Sequence, residues 1–407
     1  MVKYKVKKTI YGSIVLLFLI GLFIMAYQID AYALYNNEEN RLVDKNMDES
    51  IMPVMKAIGG NYTAKEECSV WTKFLGISDI DFLEKVGEHC IVLWKETAGA
   101  QIKIEEDPLT ASIQIQLPEC EDYLGKQDIV RICGKMCYHA LSQQALEGFD
   151  RTARIAKIKE SYEEDNDVLH GILQEKLEDE SGIELILALD TVYETNLYED
   201  AWCYYISLKR PAELYEKIVV LDAGHGGIDP GTSSAGYVYR EKDTNLAVIL
   251  ETKALLDKRN DIKVYYTRIE DFKPSLEQRA GLANAVEADL FISVHCNYNY
   301  VKSVHGIEVL YNSLQDGKKP LDSKRLAQLC LEEMSQKLGL TKRKIIDRTK
   351  DVYIVGNSNA PVALIELGYM SNATDLKVLI SKEAQASAAE GICNVIDKAF
   401  QEMEQVE

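Results

Sequence analysis

The stretch Ile218–Gly231, IVVLDAGHGGIDPG, constrains the fold of this chain more than any other. Four apolar residues, Ile218–Leu221, run into Asp222 and stop at a glycine cluster that encloses His225. A short apolar run ended by glycines is the pattern of a buried strand. A histidine just past such a strand lies at the carboxyl edge of a sheet, where open α/β sheets place their sites. The flanking glycines lack Cβ atoms, so a substrate backbone can approach closely there.

Three later residues occupy matching contexts. Glu241 opens a helical pattern in YREKDTNLAVILETKALLDKR, where Leu246, Ile249, Leu250 and Leu256 recur at helical spacing. His295 ends a second apolar run, ADLFISVHCN, and Glu366 ends a third, PVALIELGYMSN. Each of these residues alone is more often a packing or solvated strand-end residue. Three strand ends and one helix start that deliver His, Glu, His and Glu form a constellation. Two imidazoles and a carboxylate, with one position left for water, make a catalytic zinc set. A further carboxylate that is not a ligand can take the proton of that water and pass it to a leaving amine. On this reading His225, Glu241 and His295 bind one Zn2+ per chain, and Glu366 is the general base.

DAGHGGIDPG, the REKDTNL helix start, SVHCN and PVALIELGYMSN together resemble the zinc-dependent N-acetylmuramoyl-L-alanine amidases of bacterial cell walls. TRIEDFKPSLEQRAGLAN resembles the family's segment between the second and third strands, with Arg268, Asp271, Arg279 and Asn284 in place. The resemblance runs from Ile218 to the C-terminus. It implies an α/β catalytic domain, a mixed and mostly parallel sheet flanked by helices. It implies hydrolysis of the amide that joins N-acetylmuramic acid to L-alanine of the peptidoglycan stem peptide. It carries the metal ligands to His225, Glu241 and His295, and the catalytic glutamate to Glu366. Two rival functions share part of this pattern: a zinc peptidase cutting within the stem peptide, and a non-catalytic wall-binding or regulatory protein. The intact four residues speak against the second.

The N-terminus sets an expected location. Lys3, Lys5, Lys7 and Lys8 precede an uncharged, mostly apolar run from Thr9 to Ile29. That run is long enough for a transmembrane helix, and the lysines belong on the cytoplasmic side. The expected plan is a cytoplasmic tail over 1–8, a transmembrane anchor over 9–29 and a polar stalk over 30–61. A smaller α+β or β-rich module, with a wall-targeting role in view, follows over 62–212, and the zinc amidase domain over 213–407. This makes the chain a single-pass protein of the cell membrane with its catalytic domain outside the cytoplasm. The alternative is secretion after cleavage near Ala33, since Ala31-Tyr32-Ala33 is an A-x-A-like site. The formal charge of −19 argues against nucleic-acid binding, so the expected partners are peptidoglycan and the membrane. Nothing in the sequence names a protein activator.

In the middle region, Ile102 and Ile104, then Ile113, Ile115 and Leu117, alternate at period two and read as paired strands. QDIVRICGKMCYHALSQQALEGF reads as a helix, and GIELILALDTVYETNLYEDAWCYYISLKRP as two further strands. The 9 cysteines cannot all pair and show no compact metal spacing. Cys296 adjoins His295, but strand neighbours point to opposite faces, so it should not share the metal. Between His295 and Glu366 the sequence accommodates a strand (306–312), a helix (321–338) and little more. An enzyme that is not occluded by its own insertion is expected.

Overall fold

The computed structural model describes residues 89–94, 101–120, 131–132, 168–177, 182–199, 203–317 and 320–405. The C-terminal half is built on a six-stranded sheet. Its strands are β9 (Ile218–Ala223), β10 (Lys263–Tyr266), β11 (Leu290–Asn297), β12 (Ile307–Tyr311), β13 (Lys342–Asp347) and β14 (Val362–Tyr369). They lie in the order β10-β9-β11-β14-β12-β13. All neighbours are parallel except β12 and β14. A mixed sheet flanked by helices is therefore the architecture of this half.

The helices are α1 (Pro211–Leu214), α2 (Glu241–Leu256), α3 (Leu276–Ala285), α4 (Ser323–Leu338), α5 (Tyr353–Gly356), α6 (Ala373–Leu379) and α7 (Lys382–Glu404). Local chemistry sets several of their starts. Ser275 and Gln278 close a reciprocal capping box on α3, and Asp322 accepts from the Arg325 amide at the head of α4. Gly339 ends α4 in the left-handed conformation.

Alternation along the strands divides the sheet into two unlike faces. Leu221, Ala223, Ile292, Val294, Val309, Ala363 and Ile365 join Val248, Leu326, Cys330, Met334, Ile392 and Val395 in one core, so α2, α4 and α7 cover that face. Val220, Phe291, Val362 and Leu364 point the other way and pack on Leu282, Ala283, Val286, Ile354 and Val355 of α3, α5 and the adjoining turn. Asp222, Ser293, His295, Glu308 and Glu366 continue this second face toward the carboxyl ends of β9, β11 and β14. Fully apolar runs such as Phe291–Ile292 follow from burial on both sides.

Ahead of this half lie two four-stranded antiparallel sheets. One has the order β2-β3-β6-β5, from Lys103–Asp107, Ser112–Pro118, Gly182–Leu189 and Leu169–Lys176. The other has the order β4-β1-β8-β7, from Arg131–Ile132, His89–Trp94, Cys203–Lys209 and Glu194–Glu199. Ile91, Ile113, Ile115, Leu185, Leu187, Ile206 and Leu208 share one core between them. Ile104 opposes Ile115, so the period-two isoleucines do pair as a hairpin. Three strands, not two, follow Gly182: the edge strand β7 is polar, ETNLYE, and an edge strand wets one side and needs no apolar run. Arg131 and Ile132 pair with β1 and are not helical, because open sheet hydrogen bonds outweighed a local helical pattern. The rest of that expected helix lies outside the described residues, as do Cys133 and Cys137.

The single-pass membrane location is corrected. Among the described residues no helix is long and apolar enough to cross a membrane. The expected anchor over 9–29, with the tail and stalk around it, lies outside the described residues. The apolar length of a run says that a helix formed there could span a bilayer; it does not say that such a helix forms.

Candidate metal centre and active site

His225 follows β9 with its backbone in the left-handed region (φ 61°), a conformation that non-glycine residues seldom adopt. The strain is held by Arg279, whose Nη2 donates to the His225 carbonyl at 2.6 Å. Arg279 also pairs with Asp222 and donates to the Ala223 carbonyl at 2.8 Å. Asp222 is fully buried and accepts further bonds from Thr267 Oγ1 and Ser293 Oγ, each at 2.5 Å. Burial pushes its carboxyl up, but the Arg279 charge and the hydroxyl donors win and hold it below the usual carboxylate range. The conspicuous aspartate of DAGHGG is thus a structural anchor.

Glu241 is the first residue of α2 and is 3 % exposed. Its Oε1 lies 2.9 Å from His295 Nδ1 and 3.3 Å from His225 Nε2, and accepts from the Cys296 amide at 3.0 Å. Its Oε2 accepts from the Thr232 amide at 2.7 Å. Burial opposes its charge, yet the two imidazoles outweigh it and keep the carboxyl strongly ionised. The same contact, with Asp229, raises His225 against its own burial. One ligand atom each from His225, Glu241 and His295 lies within 4.8 Å of the others, so the three can hold a single metal ion. The rings of His225 and His295 meet edge to face with centroids 4.9 Å apart.

Two glycines make room for this convergence. A Cβ on Gly224 would sit 2.2 Å from the His295 ring. One on Gly231 would lie 2.6 Å from both Glu241 Oε2 and the His225 ring, and its φ of 64° is itself left-handed. Asp229 Oδ1 stands 3.1 Å from His225 Nδ1, which leaves Nε2 to face the other donors.

Glu366 ends the apolar part of β14 and stands in register with His295 on the neighbouring parallel strand. Its Oε2 is buried and has no hydrogen-bond partner among the described residues. Burial, then the nearby Glu241 and Glu308 charges, push its pKa up to about 7 against the pull of His295 and His225. A buried carboxylate oxygen left bare beside two imidazoles and a carboxylate fits a centre that takes a cation and its water.

The sequence of this half matches known proteins. A family model described as N-acetylmuramoyl-L-alanine amidase matches residues 219–398. The uncharacterized protein YqiI of Bacillus subtilis is 36 % identical over 184 residues, 45 % of this chain and 85 % of that one. The chain belongs to the N-acetylmuramoyl-L-alanine amidase family. The amidase LytC of Bacillus subtilis is 30 % identical over 44 % of this chain but only 35 % of its own length. The catalytic domain of CwlV, an amidase from Bacillus (Paenibacillus) polymyxa var. colistinus, is 30 % identical over 46 % of this chain and 98 % of that one, with a TM-score of 0.42.

Several residues of this amidase site carried no clear role in the sequence. Arg268 is 2 % exposed and donates only to carbonyls: Ala223 at 2.8 Å, Gly224 at 3.0 Å, Lys242 at 2.9 Å and Glu270 at 3.1 Å. It ties the end of β9 to the first turn of α2, the two segments that carry His225 and Glu241. Lys242 Nζ bonds the Gly227 carbonyl at 2.9 Å and Asp271 at 2.5 Å, closing the same loop from outside. Asn245, one turn after Glu241, bonds the Gly224 carbonyl at 3.1 Å. Asn284 serves elsewhere, clasping Asn357 and Asn359 at the far end of α3. Cys296 turns away from the donors and meets Asn245 Oδ1 at 3.6 Å. His305 Nδ1 lies 2.9 Å from the Ser303 carbonyl and is not in the donor set.

Proposed function

We propose that zinc held by His225, Glu241 and His295 carries the reaction of this amidase, with Glu366 as proton acceptor and donor. The reaction is hydrolysis of the amide between N-acetylmuramic acid and the L-alanine of the peptidoglycan stem peptide. The observation that supports the zinc reading is the approach of His225 and His295 to one oxygen of Glu241 beside the unpartnered oxygen of Glu366. Zinc at such a donor set acts as a Lewis acid toward a carbonyl and brings the pKa of its water toward about 7.

The chain's own residues divide the remaining work. Asp229 orients the His225 ring, while the Cys296 and Thr232 amides fix the Glu241 carboxylate. Glu366, in the row beside His295, takes a proton from water at its bare oxygen and returns it to the nitrogen of the departing L-alanine. A buried carboxylate with a raised pKa suits both halves of that transfer. Residues 213–407 form the catalytic domain in this proposal, and 62–212 a separate β-rich module that presents it to the wall. Helix α4 packs through Leu326, Cys330 and Met334 on the face away from His295 and Glu366, which supports an enzyme not covered by its own insertion.

The test is digestion of purified peptidoglycan by the zinc-loaded protein, followed by mass spectrometry. Stem peptides with an intact N-terminal L-alanine, and glycan freed of peptide, are expected. Fragments cut within the stem would replace the amidase reading with a peptidase one.

A further inference from the structure

The second face of the catalytic sheet does not end at Glu366. Glu308 on β12 stands in antiparallel register with Glu366, and Lys344 on β13 stands in register with Glu308. Registered residues share a face, so one row crosses the sheet: His295, Glu366, Glu308, Lys344. A register shift between Ile307 and Glu308 leaves Arg343 as an extra residue on the edge strand. Such bulges re-aim side chains, and here Arg343 turns into the same row. Its Nε donates to Glu308 Oε1 at 3.0 Å, Nη1 to the His305 carbonyl at 3.2 Å, and its guanidinium lies 5.6 Å from the centre of the Tyr369 ring.

The charges along this row are unevenly satisfied. Glu308 is 6 % exposed and fully engaged by Arg343, Tyr369 Oη at 2.9 Å and Asn297 Nδ2 at 3.3 Å. It fixes the arginine; it offers no free acceptor to a ligand. Lys342, on the other side of the strand, pairs with Glu332 of α4. Lys344 is exposed and has no ion-pair partner among the described residues. Beyond Glu366, the row therefore ends in a held guanidinium and a free ammonium, on a chain whose formal charge is −19. A fixed cationic end on an acidic protein selects an anion.

We propose that Arg343 and Lys344 form a subsite for a carboxylate of the stem peptide, so that the peptide runs from the metal centre across β14 and β12 toward β13. This rests on the amidase reading and deepens it. The sugar rings carry no free carboxylate once the lactyl group is in the amide, whereas the peptide does, so the cations mark the peptide side. The glycan then leaves the cleft on the side of β9 and the loop at 232–240.

Two soluble muropeptides test the subsite with the full chain, one with a free carboxylate on the second stem residue and one with that group as a primary amide. The readout is the ratio of their kcat/KM values. We expect wild type to favour the free acid by about 10-fold through KM, in line with a charge-assisted bond at a partly exposed site. In Lys344→Gln, and more fully in Arg343→Gln, the ratio falls toward one. Lys344 is exposed and bonded to nothing that folding needs, so Lys344→Gln keeps the test open where Arg343→Gln strips a partner from Glu308. A wild-type ratio of one, or a ratio that neither substitution moves, would overturn the subsite. If wild type released no stem peptide from either muropeptide, the amidase reading would fail, and the subsite would be judged by calorimetric binding of the same pair. Equal affinities would then overturn it too.

Discussion

Two glutamates lie at opposite edges of the catalytic sheet and show opposite states of satisfaction. Glu194, on β7, meets the amino edge of the sheet and accepts from Tyr265 Oη at 2.5 Å, Lys263 Nζ at 2.7 Å and Tyr215 Oη at 3.1 Å. Glu366, at the carboxyl edge, keeps one buried oxygen without a partner among the described residues. The first is what folding makes of a buried carboxylate when stability alone decides: every lone pair turned inward is answered. The second is held out of that bargain. The amino edge joins the β-rich sheets to the catalytic half, with Val192 in the shared core and Thr191 bonded to the Ala285 carbonyl. The carboxyl edge holds the donor set, the left-handed His225 and the bare oxygen. The two carboxylates are told apart by their partners: three donors answer Glu194, and none answers the buried oxygen of Glu366 among the described residues.

That contrast can be broken most sharply at the metal donors. His295→Ala should abolish stoichiometric zinc binding and with it the zinc-dependent rise in Tm expected of the wild type. Elemental analysis showing one zinc per variant chain would remove His295 from the ligand set.

Glu366→Gln should keep the zinc but lower kcat by about 10²–10⁴, the range of general acid–base catalysis. Its Tm should hold or rise, because the substitution removes a charge that folding leaves unanswered. Wild-type activity should fall as pH drops, since the acceptor works deprotonated and is silenced as pH passes down through its pKa. Near-full turnover in the variant would show that another group moves the proton.

Asp222→Asn should lower stability by about 3–5 kcal/mol, the cost of leaving Arg279 without its buried partner. The folded pKa of Asp222 is depressed, so its contribution is complete above the unfolded value near 3.9 and is lost as pH falls through the folded one. The gap between wild type and variant in denaturant melts should therefore narrow in acid. A gap that widened in acid would contradict the assigned direction.

Glu194→Gln should show the smallest effect, a loss of about 1–3 kcal/mol with kcat essentially kept, because the affected bonds lie at the far edge of the sheet. A kcat loss as large as that of Glu366→Gln would erase the distinction between the two edges.

Some of this was legible in one dimension. Three apolar runs that end in Asp222-x-x-His225, His295 and Glu366 require buried parallel strands, and hydrophobic burial on both faces leaves little choice of where they lie. The four candidate site residues at the strand ends and helix start follow from the same pattern. Strand β13 was not legible: KRKIID shows charge where a strand was needed, and an edge strand satisfies its backbone through one neighbour without an apolar face. Nor could the sequence separate Asp222 from the carboxylates proposed to act in the site, because Arg279 and Ser293 lie far from it along the chain.

The sequence alone thus determined the sheet's central strands, the glycine-rich turn after the first of them and which residues stand at the strand ends, because those follow from local periodicity and from the glycines that break it. Only the tertiary structure decided the partners. It gave Asp222 to an arginine, left Glu366 bare, fixed Arg343 beside Glu308 through a bulge, and set Glu194 against three donors. Such choices depend on contacts between residues distant in sequence, where electrostatics and desolvation compete over a few ångströms and no local pattern records the outcome.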